Sequence, residues 1–211
     1  MNCPLCESKL SQKADELYYI CSNCCAYVKD ARFYPNPSDE KSRYDEHNND
    51  VNDPAYQNFT SPITNAVLEM NKAEDLGLDY GCGNGPVITK MLEKNGYTVK
   101  LYDPYYFPDE SCLQHKYDYI FSCEVFEHFY EPKKEIEKII RLLKPNALLY
   151  VMTKIFNNVI TFDNWYYRKD PTHVFIYTEK TINYISQHFN LAIEKFGKNF
   201  IIFRKTANPP L

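Results

Sequence analysis

Five of the eight cysteines lie within the first 25 residues, and four of them form two pairs, Cys3-x2-Cys6 and Cys21-x2-Cys24. Each pair can direct two thiolates at one tetrahedral ion, and the 14 residues between the pairs are enough for a small hairpin. This clustering fits a metal site in a reducing cytosol better than a disulfide framework. We predict that these four cysteines bind one zinc ion. Cys25 could replace Cys24, and a module that has lost its metal is the alternative.

A second group with a chemical use is the glycine-rich stretch DYGCGNG at residues 79–85, which holds three of the six glycines. Glycines let the chain turn tightly and let a ligand approach the backbone. Asp103 ends the next apolar stretch, and a carboxylate there can accept hydrogen bonds from both hydroxyls of a ribose. We therefore predict a nucleoside site, with a plain turn and a solvated carboxylate as the alternative.

A third group combines carboxylates with imidazoles. Glu124, Glu127 and His128 form an E-x-x-E-H pattern after an apolar stretch, and His173 follows in a later aromatic segment. Two carboxylates and two imidazoles suit Mg²⁺ or Mn²⁺, and also Zn²⁺. Two other interpretations stay open. His128 or His173 acts as a general base without a metal, or the side chains brace the turn by hydrogen bonds.

These groups need elements that bring them together, and from Leu76 onward short apolar stretches alternate with amphipathic ones. We predict strands at residues 76–81, 98–103, 117–123 and 147–153. We predict helices at residues 64–74, 86–96, 132–145 and 179–189. Residues 191–205 predict a hairpin that turns near Gly197. The fold class is therefore α/β, with a doubly wound, mostly parallel sheet and an antiparallel C-terminal hairpin.

The composition divides the chain into three parts. Residues 1–30 form the cysteine-rich, zinc-ribbon-like module, residues 31–72 a linker and helical cap, and residues 73–211 the catalytic domain. Within the second part, residues 35–62 carry four prolines and many Asn and Asp residues. We expect that stretch to be a linker that runs into a capping segment.

The stretch LDYGCGNG at residues 78–85 resembles the first motif of class I, Rossmann-like, S-adenosylmethionine-dependent methyltransferases. YDYIFSCEVFEHF and LLKPNALLYVMT are similar to later parts of that family, although KPNA replaces the usual KPGG. The resemblance implies a seven-stranded sheet, with Asp79 at the methionine amino end and Asp103 at the ribose. The predicted donor-binding set is Asp79, Gly81, Gly83, Gly85, Asp103, Pro104 and Cys123.

One departure from that family concerns the adenine pocket. Only 13 residues separate Asp103 from Tyr117, too few for the usual third strand and its helix at full length. We expect an abbreviated pocket. Tyr105, Tyr106 and Phe107 would either close it by stacking or serve as packing residues.

The E-x-x-E-H pattern is similar to that of the small-RNA 3′-terminal 2′-O-methyltransferases and the polyprenyl-quinol O-methyltransferases. In the former, two Glu and two His residues bind a divalent ion that coordinates neighbouring hydroxyls of the acceptor. The resemblance implies a possible Mg²⁺ or Mn²⁺ site at Glu124, Glu127, His128 and His173.

Residues 43–56 also resemble a feature of bacterial methyltransferases with this layout. Tyr44, His47 and Tyr56 would line the donor's methionine end or the acceptor entrance, or they would cap the sheet. Four-cysteine ribbons similar to residues 1–30 precede methyltransferase domains of rRNA guanine and sugar C-methyltransferases. We expect this one to pack on the catalytic domain or to shape the acceptor site.

The sequence thus predicts transfer of a methyl group from S-adenosylmethionine to an unidentified acceptor, either a small molecule or a glycan or lipid intermediate, at oxygen or carbon. An RNA 2′-O- or base methyltransferase is the alternative, although the net charge of −4 is not that of a nucleic-acid binder. A non-catalytic S-adenosylmethionine-binding scaffold is the alternative from another class. The G-x-G-x-G spacing argues against an NAD-dependent oxidoreductase. With no apolar run of membrane length and no signal-like start, we expect a cytoplasmic protein.

Overall fold

The computed structural model describes residues 1–46 and 50–206. Within these residues the strands are β1 (Gln12–Lys13), β2 (Tyr18–Ile20), β3 (Tyr27–Lys29), β4 (Leu76–Tyr80), β5 (Thr98–Tyr102), β6 (Tyr117–Cys123), β7 (Leu143–Met152), β8 (Phe175–Ile176), β9 (Leu191–Phe196) and β10 (Phe200–Lys205). The helices are α1 (Pro37–Asp45), α2 (Pro54–Met70), α3 (Val87–Glu93), α4 (Pro132–Leu142) and α5 (Glu179–His188). The chain is a mixed α/β protein, as the alternating pattern predicts.

The main sheet has its strands in the order β5-β4-β6-β7-β10-β9. The first four run parallel, and β10 runs antiparallel to β7 and to β9. The prediction of seven strands is wrong, because the described part of this sheet has six. The stretch between β5 and β6 is too short for another helix and strand, and it holds the 3-10 turn Glu110–Gln114.

Side chains of the main sheet alternate between its two faces, as the pleat of a strand requires. In β6, Tyr119 and Phe121 pack with side chains of α2 and α3, whereas Ile120 packs with those of α4 and α5. Because helices cover both faces, ligands can reach the sheet at the ends of its strands.

The segment predicted as a linker that runs into a capping segment, residues 35–62, contains α1 and the start of α2. Pro37 and Pro54 begin these helices, in the first turn, where a missing N–H leaves no hydrogen bond unmade. The side chains of Asn36 and Asp53 accept hydrogen bonds from backbone amides of the same turns. Residues that signal a loop are therefore helix caps here.

The N-terminal module forms a second sheet in the order β1-β2-β3-β8. Its fourth strand comes from Phe175–Ile176, far along the chain, and pairs antiparallel with β3. Cys3, Leu5 and Cys24 belong to the same buried apolar cluster as side chains of α4 and α5. The module is thus packed against the main domain. None of the helices in the described residues is long and apolar enough to cross a membrane.

Candidate active site

A cavity of about 700 Å³ opens at the carboxyl ends of β4, β5 and β6, the edge at which open α/β sheets bind ligands. Every residue of the predicted donor-binding set lines it: Asp79, Gly81, Gly83, Gly85, Asp103, Pro104 and Cys123. The second predicted group lines it too: Glu124, Glu127, His128 and His173. Two motifs that are separate in the sequence therefore face one space.

The glycine-rich loop turns directly after β4. Gly81 and Gly83 have φ angles of 82° and 60°, which other residues adopt reluctantly. The Gly81 amide donates to the carbonyl oxygen of Tyr102 over 2.8 Å. A Cβ on Gly81 would lie 2.5 Å from a Val125 methyl carbon, whereas one on Gly83 would meet open space. Gly81 is thus required by packing, and Gly83 leaves room for a ligand against the backbone.

Asp79 lies near the end of β4 with only 4% of its surface exposed. Burial raises the pKa of its carboxyl to about 7, the Thr89 hydroxyl opposes the shift, and the Asp103 carboxylate adds to it. The Thr89 hydroxyl donates to Asp79 Oδ2 over 2.9 Å. A cationic ligand group beside Asp79 would stabilise its charged form.

The Asp103 carboxylate joins the glycine-rich loop to the loop after β5. It accepts hydrogen bonds from three backbone amides, those of Gly83 (3.0 Å), Tyr105 (2.9 Å) and Tyr106 (3.1 Å). Two carboxylate oxygens have about four acceptor positions, so Asp103 can accept another donor. Its side chain is buried yet lines the cavity.

Two of the three aromatic residues after Asp103 line the cavity. Tyr105 and Tyr106 line the cavity, and their hydroxyls donate to Glu40 (2.9 Å) and Asp45 (2.6 Å) on α1. Phe107 lines a separate depression of about 500 Å³. The two tyrosines therefore hold the cap helix over the cavity; Tyr106 also lines the second depression, and Phe107 does not line the cavity.

Glu127 is fully buried, and each of its carboxylate oxygens accepts a hydroxyl hydrogen. The donors are Thr153, over 2.9 Å, and Tyr167. Tyr167 also reaches Glu124 Oε2 over 3.4 Å. Glu124 has a φ of 52°, a strained conformation that is common at functional sites. Burial first, and then the charge of Glu127, raise the pKa of Glu124 to about 8.

The two histidines have the same tautomer. Their Nδ1 atoms lie 3.0 Å from the carbonyl oxygen of Thr172 (His128) and 2.6 Å from that of Tyr167 (His173). A carbonyl oxygen can only accept, so each Nδ1 must carry the proton. Burial lowers the pKa of His173 to about 4, so its ring is neutral at pH 7. The other ring nitrogen then presents a lone pair.

The predicted four-residue metal group is only partly brought together. One ligand atom each from Glu127, His128 and His173 can lie within 4.8 Å of the others. Glu124 lies outside that group. A carboxylate and two imidazoles suit transition metals better than Mg²⁺. The Glu127 oxygens are already engaged by hydroxyl groups, so an ion would share them.

The four predicted zinc ligands do come together. The Sγ atoms of Cys3, Cys6, Cys21 and Cys24 all lie within 4.8 Å of one another. Cys3 and Cys24 are 3.6 Å apart, and Cys6 and Cys21 are 3.4 Å apart. Tetrahedral thiolates on zinc stand about 3.8 Å apart, given bonds of about 2.3 Å. The hydrogen bond with Cys24 lowers the pKa of Cys3 to about 6, and the thiolate is the form that binds metal.

The two cysteine pairs have the same backbone turn. The amide of Glu7 donates to the Cys3 carbonyl (2.9 Å), and that of Cys25 donates to the Cys21 carbonyl (3.0 Å). Both donors have positive φ, 63° for Glu7 and 59° for Cys25. Cys25 thus serves the turn that presents Cys24, and its Sγ is not one of the four clustered sulfur atoms.

The cap over the cavity includes residues that the sequence alone did not single out. Glu40 on α1 is buried and accepts from the hydroxyl of Tyr44 over 2.7 Å. Tyr44 also stands edge-on to the His128 ring, with 5.2 Å between centroids. Tyr56 lines the same cavity, whereas His47 lies outside the described residues.

Glu40 and Tyr167 are the main residues that were missed. Glu40 lay in the predicted linker, and Tyr167 in an aromatic run without a recognisable spacing. The one available signal was the density of tyrosines, 19 in the whole chain, and it points to no particular residue.

Several solved structures share this fold. The 1,6-didemethyltoxoflavin-N1-methyltransferase of Burkholderia thailandensis, solved with 1,6-didemethyltoxoflavin and S-adenosylhomocysteine, is 15% identical over 94% of this chain and 100% of that one, with a TM-score of 0.58. An O-methyltransferase family protein from the same organism is 12% identical over 84% of this chain and 62% of that one, with a TM-score of 0.52. Human N-acetylserotonin methyltransferase in complex with SAM is 15% identical over 80% of this chain and 57% of that one, with a TM-score of 0.50.

At these identities the likeness is one of fold. No curated protein matches the sequence closely enough to be counted as a relative. The sequence itself matches a family described as a methyltransferase domain over residues 54–195, from the start of α2 to β9. That stretch contains the glycine-rich loop, Asp103 and the E-x-x-E-H turn. Because the match spans more than half of the sequence, the chain belongs to this family of methyltransferases.

Proposed function

We propose that the protein transfers the methyl group of S-adenosylmethionine to a small-molecule acceptor. The observation that carries the proposal is the joint placement of the glycine-rich loop and Asp103 at the mouth of the parallel sheet, inside the segment that matches the methyltransferase family. Two solved structures of the same fold contain S-adenosylhomocysteine or SAM.

On the donor side, we assign the ribose hydroxyls to Asp103 and the methionine ammonium to Asp79. Asp103 retains acceptor positions beside the open backbone of Gly83. Asp79 is buried, and its raised pKa favours a ligand that brings a positive charge. The sulfonium supplies an activated methyl group, which the acceptor's nucleophile attacks while the carbon–sulfur bond breaks.

On the acceptor side, we assign the proton-accepting role to His128. Its Nδ1–H is held by the Thr172 carbonyl, which leaves the other nitrogen free to take a proton. The ring lies 4.9 Å from that of His173, centroid to centroid, and beside Tyr44. The family's reaction depends mostly on the positioning of two substrates, and the base matters where the nucleophile must lose a proton.

The charges around the cavity favour a neutral or cationic acceptor over a polyanion. The lysines that line it in the described part of the chain are Lys138 and Lys154, and Lys138 is paired with Glu135 (2.8 Å). The carboxylates of Glu40 and Glu127 line the same space. RNA binding depends on basic groups against phosphates, so we place RNA below small molecules. Glycan and lipid intermediates with anionic groups rank lower for the same reason.

We also propose one zinc ion in the N-terminal module, bound by Cys3, Cys6, Cys21 and Cys24. Its support is the approach of the four sulfur atoms at distances near those of a tetrahedral site. An ion at Glu127, His128 and His173 is the alternative to the base role of His128. Elemental analysis separates the two, because the base role expects one zinc per chain and the alternative expects a second metal.

The reaction is tested by incubating the protein with methyl-labelled S-adenosylmethionine and pooled small phenols, alcohols and amines. Mass spectrometry would follow S-adenosylhomocysteine and the labelled product. We expect His128→Gln to lower kcat by about 10²–10⁴-fold, the usual contribution of a positioned base. The exposed His188→Gln is the matched control. Binding of S-adenosylmethionine without turnover of any pool would favour the non-catalytic scaffold, and binding of NADH instead would exclude the proposal.

A further inference from the structure

The segment from Trp165 to Val174, here called the acceptor-side segment, contacts the cavity with one side. It supplies Tyr167, whose hydroxyl bonds to Glu127, and the ring of His173. Its Val174 amide donates to the Glu127 carbonyl oxygen over 2.9 Å. The position of this segment therefore sets the position of the groups that face the acceptor.

The other side of the segment rests on the N-terminal module. Tyr18 on β2 has none of its surface exposed. Its hydroxyl lies 2.6 Å from the carbonyl oxygen of His173 and 3.2 Å from that of Arg168. A hydroxyl has one hydrogen to donate, so the shorter contact, to His173, is the stronger hydrogen bond.

Lys29 on β3 holds the same segment at a second place. It is 2% exposed, and its ammonium donates to the carbonyl oxygens of Pro171 (2.7 Å) and Asp170 (3.1 Å). Its backbone amide donates to the Val174 carbonyl over 2.9 Å. Burying a cation costs free energy unless its hydrogens are used, and here two carbonyl oxygens of the segment accept them.

An ion pair completes the contact. Arg168 of the segment lies 2.5 Å from Asp15 of the module, with side-chain exposures of 12% and 9%. Asp15 in turn accepts hydrogen bonds from the amides of Leu17 and Tyr18, each over 2.7 Å. The module thus contacts the segment from Arg168 to Val174 through Asp15, Tyr18 and Lys29, none of which lines the cavity.

We propose that Tyr18 and Lys29 are positioning residues that fix His173 and Tyr167 at the acceptor end of the cavity. The N-terminal module then acts on acceptor geometry, since its hydrogen bonds go to residues 168–174, whereas the side chain of Asp103 bonds to the amides of Gly83, Tyr105 and Tyr106. This inference deepens the proposed function by giving the module a part in acceptor placement.

The test uses the full chain with Tyr18→Phe and Lys29→Met, which keep most of the side-chain volume. Tyr19→Phe and Lys13→Met are matched controls on the same module, because both side chains are more exposed than their counterparts. Hydrogen-exchange mass spectrometry reads residues 165–174, and ¹⁵N-histidine NMR reads the Nδ1–H of His173. Calorimetry measures the affinity for S-adenosylmethionine, and elemental analysis measures the zinc content.

We expect Tyr18→Phe and Lys29→Met to speed exchange in residues 165–174 by about tenfold, as for the loss of one hydrogen bond. The His173 Nδ1–H signal should broaden or disappear, while S-adenosylmethionine affinity and zinc content stay unchanged. The controls should match the wild type. If Lys29→Met fails to fold, Tyr18→Phe alone decides.

Unchanged exchange and an intact His173 signal in Tyr18→Phe would overturn the proposal. So would faster exchange throughout the chain, because that result describes loss of fold and not positioning. The exchange and NMR readouts do not depend on turnover. If the protein fails to bind S-adenosylmethionine, the proposed function is wrong. The exchange and NMR measurements still test the positioning roles of Tyr18 and Lys29.

Discussion

The two sides of the cavity are built in different ways. On the donor side, polar contacts run through the backbone, as in the three amides that donate to Asp103. On the acceptor side the polar contacts join side chains from distant segments. The hydroxyls of Thr153 and Tyr167, for example, both donate to the Glu127 carboxylate. A site built from backbone amides depends on turn geometry, so glycines in the sequence indicate it. A site built from side chains of distant segments depends on residue identity, and no regular spacing in the sequence indicates it.

The largest expected effect concerns the module that supports the acceptor side. Cys24→Ser should abolish zinc binding and lower the free energy of unfolding by more than about 4 kcal/mol, because loss of a structural metal is among the most damaging single changes. Elemental analysis and urea denaturation would measure both. Cys25→Ser is the control, since its sulfur lies outside the cluster, and it should stay within about 0.5 kcal/mol of wild type. Full zinc content in Cys24→Ser would contradict the ligand assignment.

A smaller effect separates packing from turn conformation on the donor side. Gly81 and Gly96 have nearly equal φ angles, 82° and 84°, but only Gly81 has Val125 against it. Both Ala variants should lose about 1–2 kcal/mol of stability through backbone strain. Gly81→Ala should lose a further 1–3 kcal/mol, roughly, through overpacking, and it alone should weaken S-adenosylmethionine binding. Equal losses in the two variants would show that Val125 simply moves aside.

The dependence of donor affinity on pH tests Asp79. Its carboxyl must be ionised to pair with the donor's ammonium, and its pKa in the free protein is raised to about 7. Below pH 7 the bound proton must leave on binding. Affinity should then fall about tenfold per pH unit below 7 and level off above it. Calorimetry from pH 5.5 to 8.5 measures the profile, and Asp79→Asn should flatten it. A slope that persists in Asp79→Asn would place the titrating group elsewhere.

The same contrast explains what the sequence could predict. The strands β4, β5 and β6 follow from short apolar runs, and the loop at Gly81–Gly85 from its glycines. The seventh strand was inferred from the family's usual pattern against the local evidence of a short connection between Asp103 and Tyr117. The helix α1 and the first turns of α2 were missed because Pro and Asn residues signal both loops and helix starts.

The acceptor side was predictable only in part. The E-x-x-E-H pattern and His173 could be named, and all of them line the cavity. Their hydrogen-bond partners, Thr153 and Tyr167, could not, because long-range side-chain contacts follow from packing and not from spacing. The same reason hid the contacts of Tyr18 and Lys29 with the acceptor-side segment.

The most direct test of the central claim is calorimetric titration of the purified chain with S-adenosylmethionine, in parallel with Asp103→Ala and Asp109→Ala. Asp109 is an exposed carboxylate that caps a 3-10 turn outside the cavity. We predict one site per chain, affinity weakened by about tenfold or more in Asp103→Ala through the loss of hydrogen bonds to a charged group, and wild-type affinity in Asp109→Ala. Absence of binding to the wild-type chain, or equal affinity in Asp103→Ala, would contradict the account.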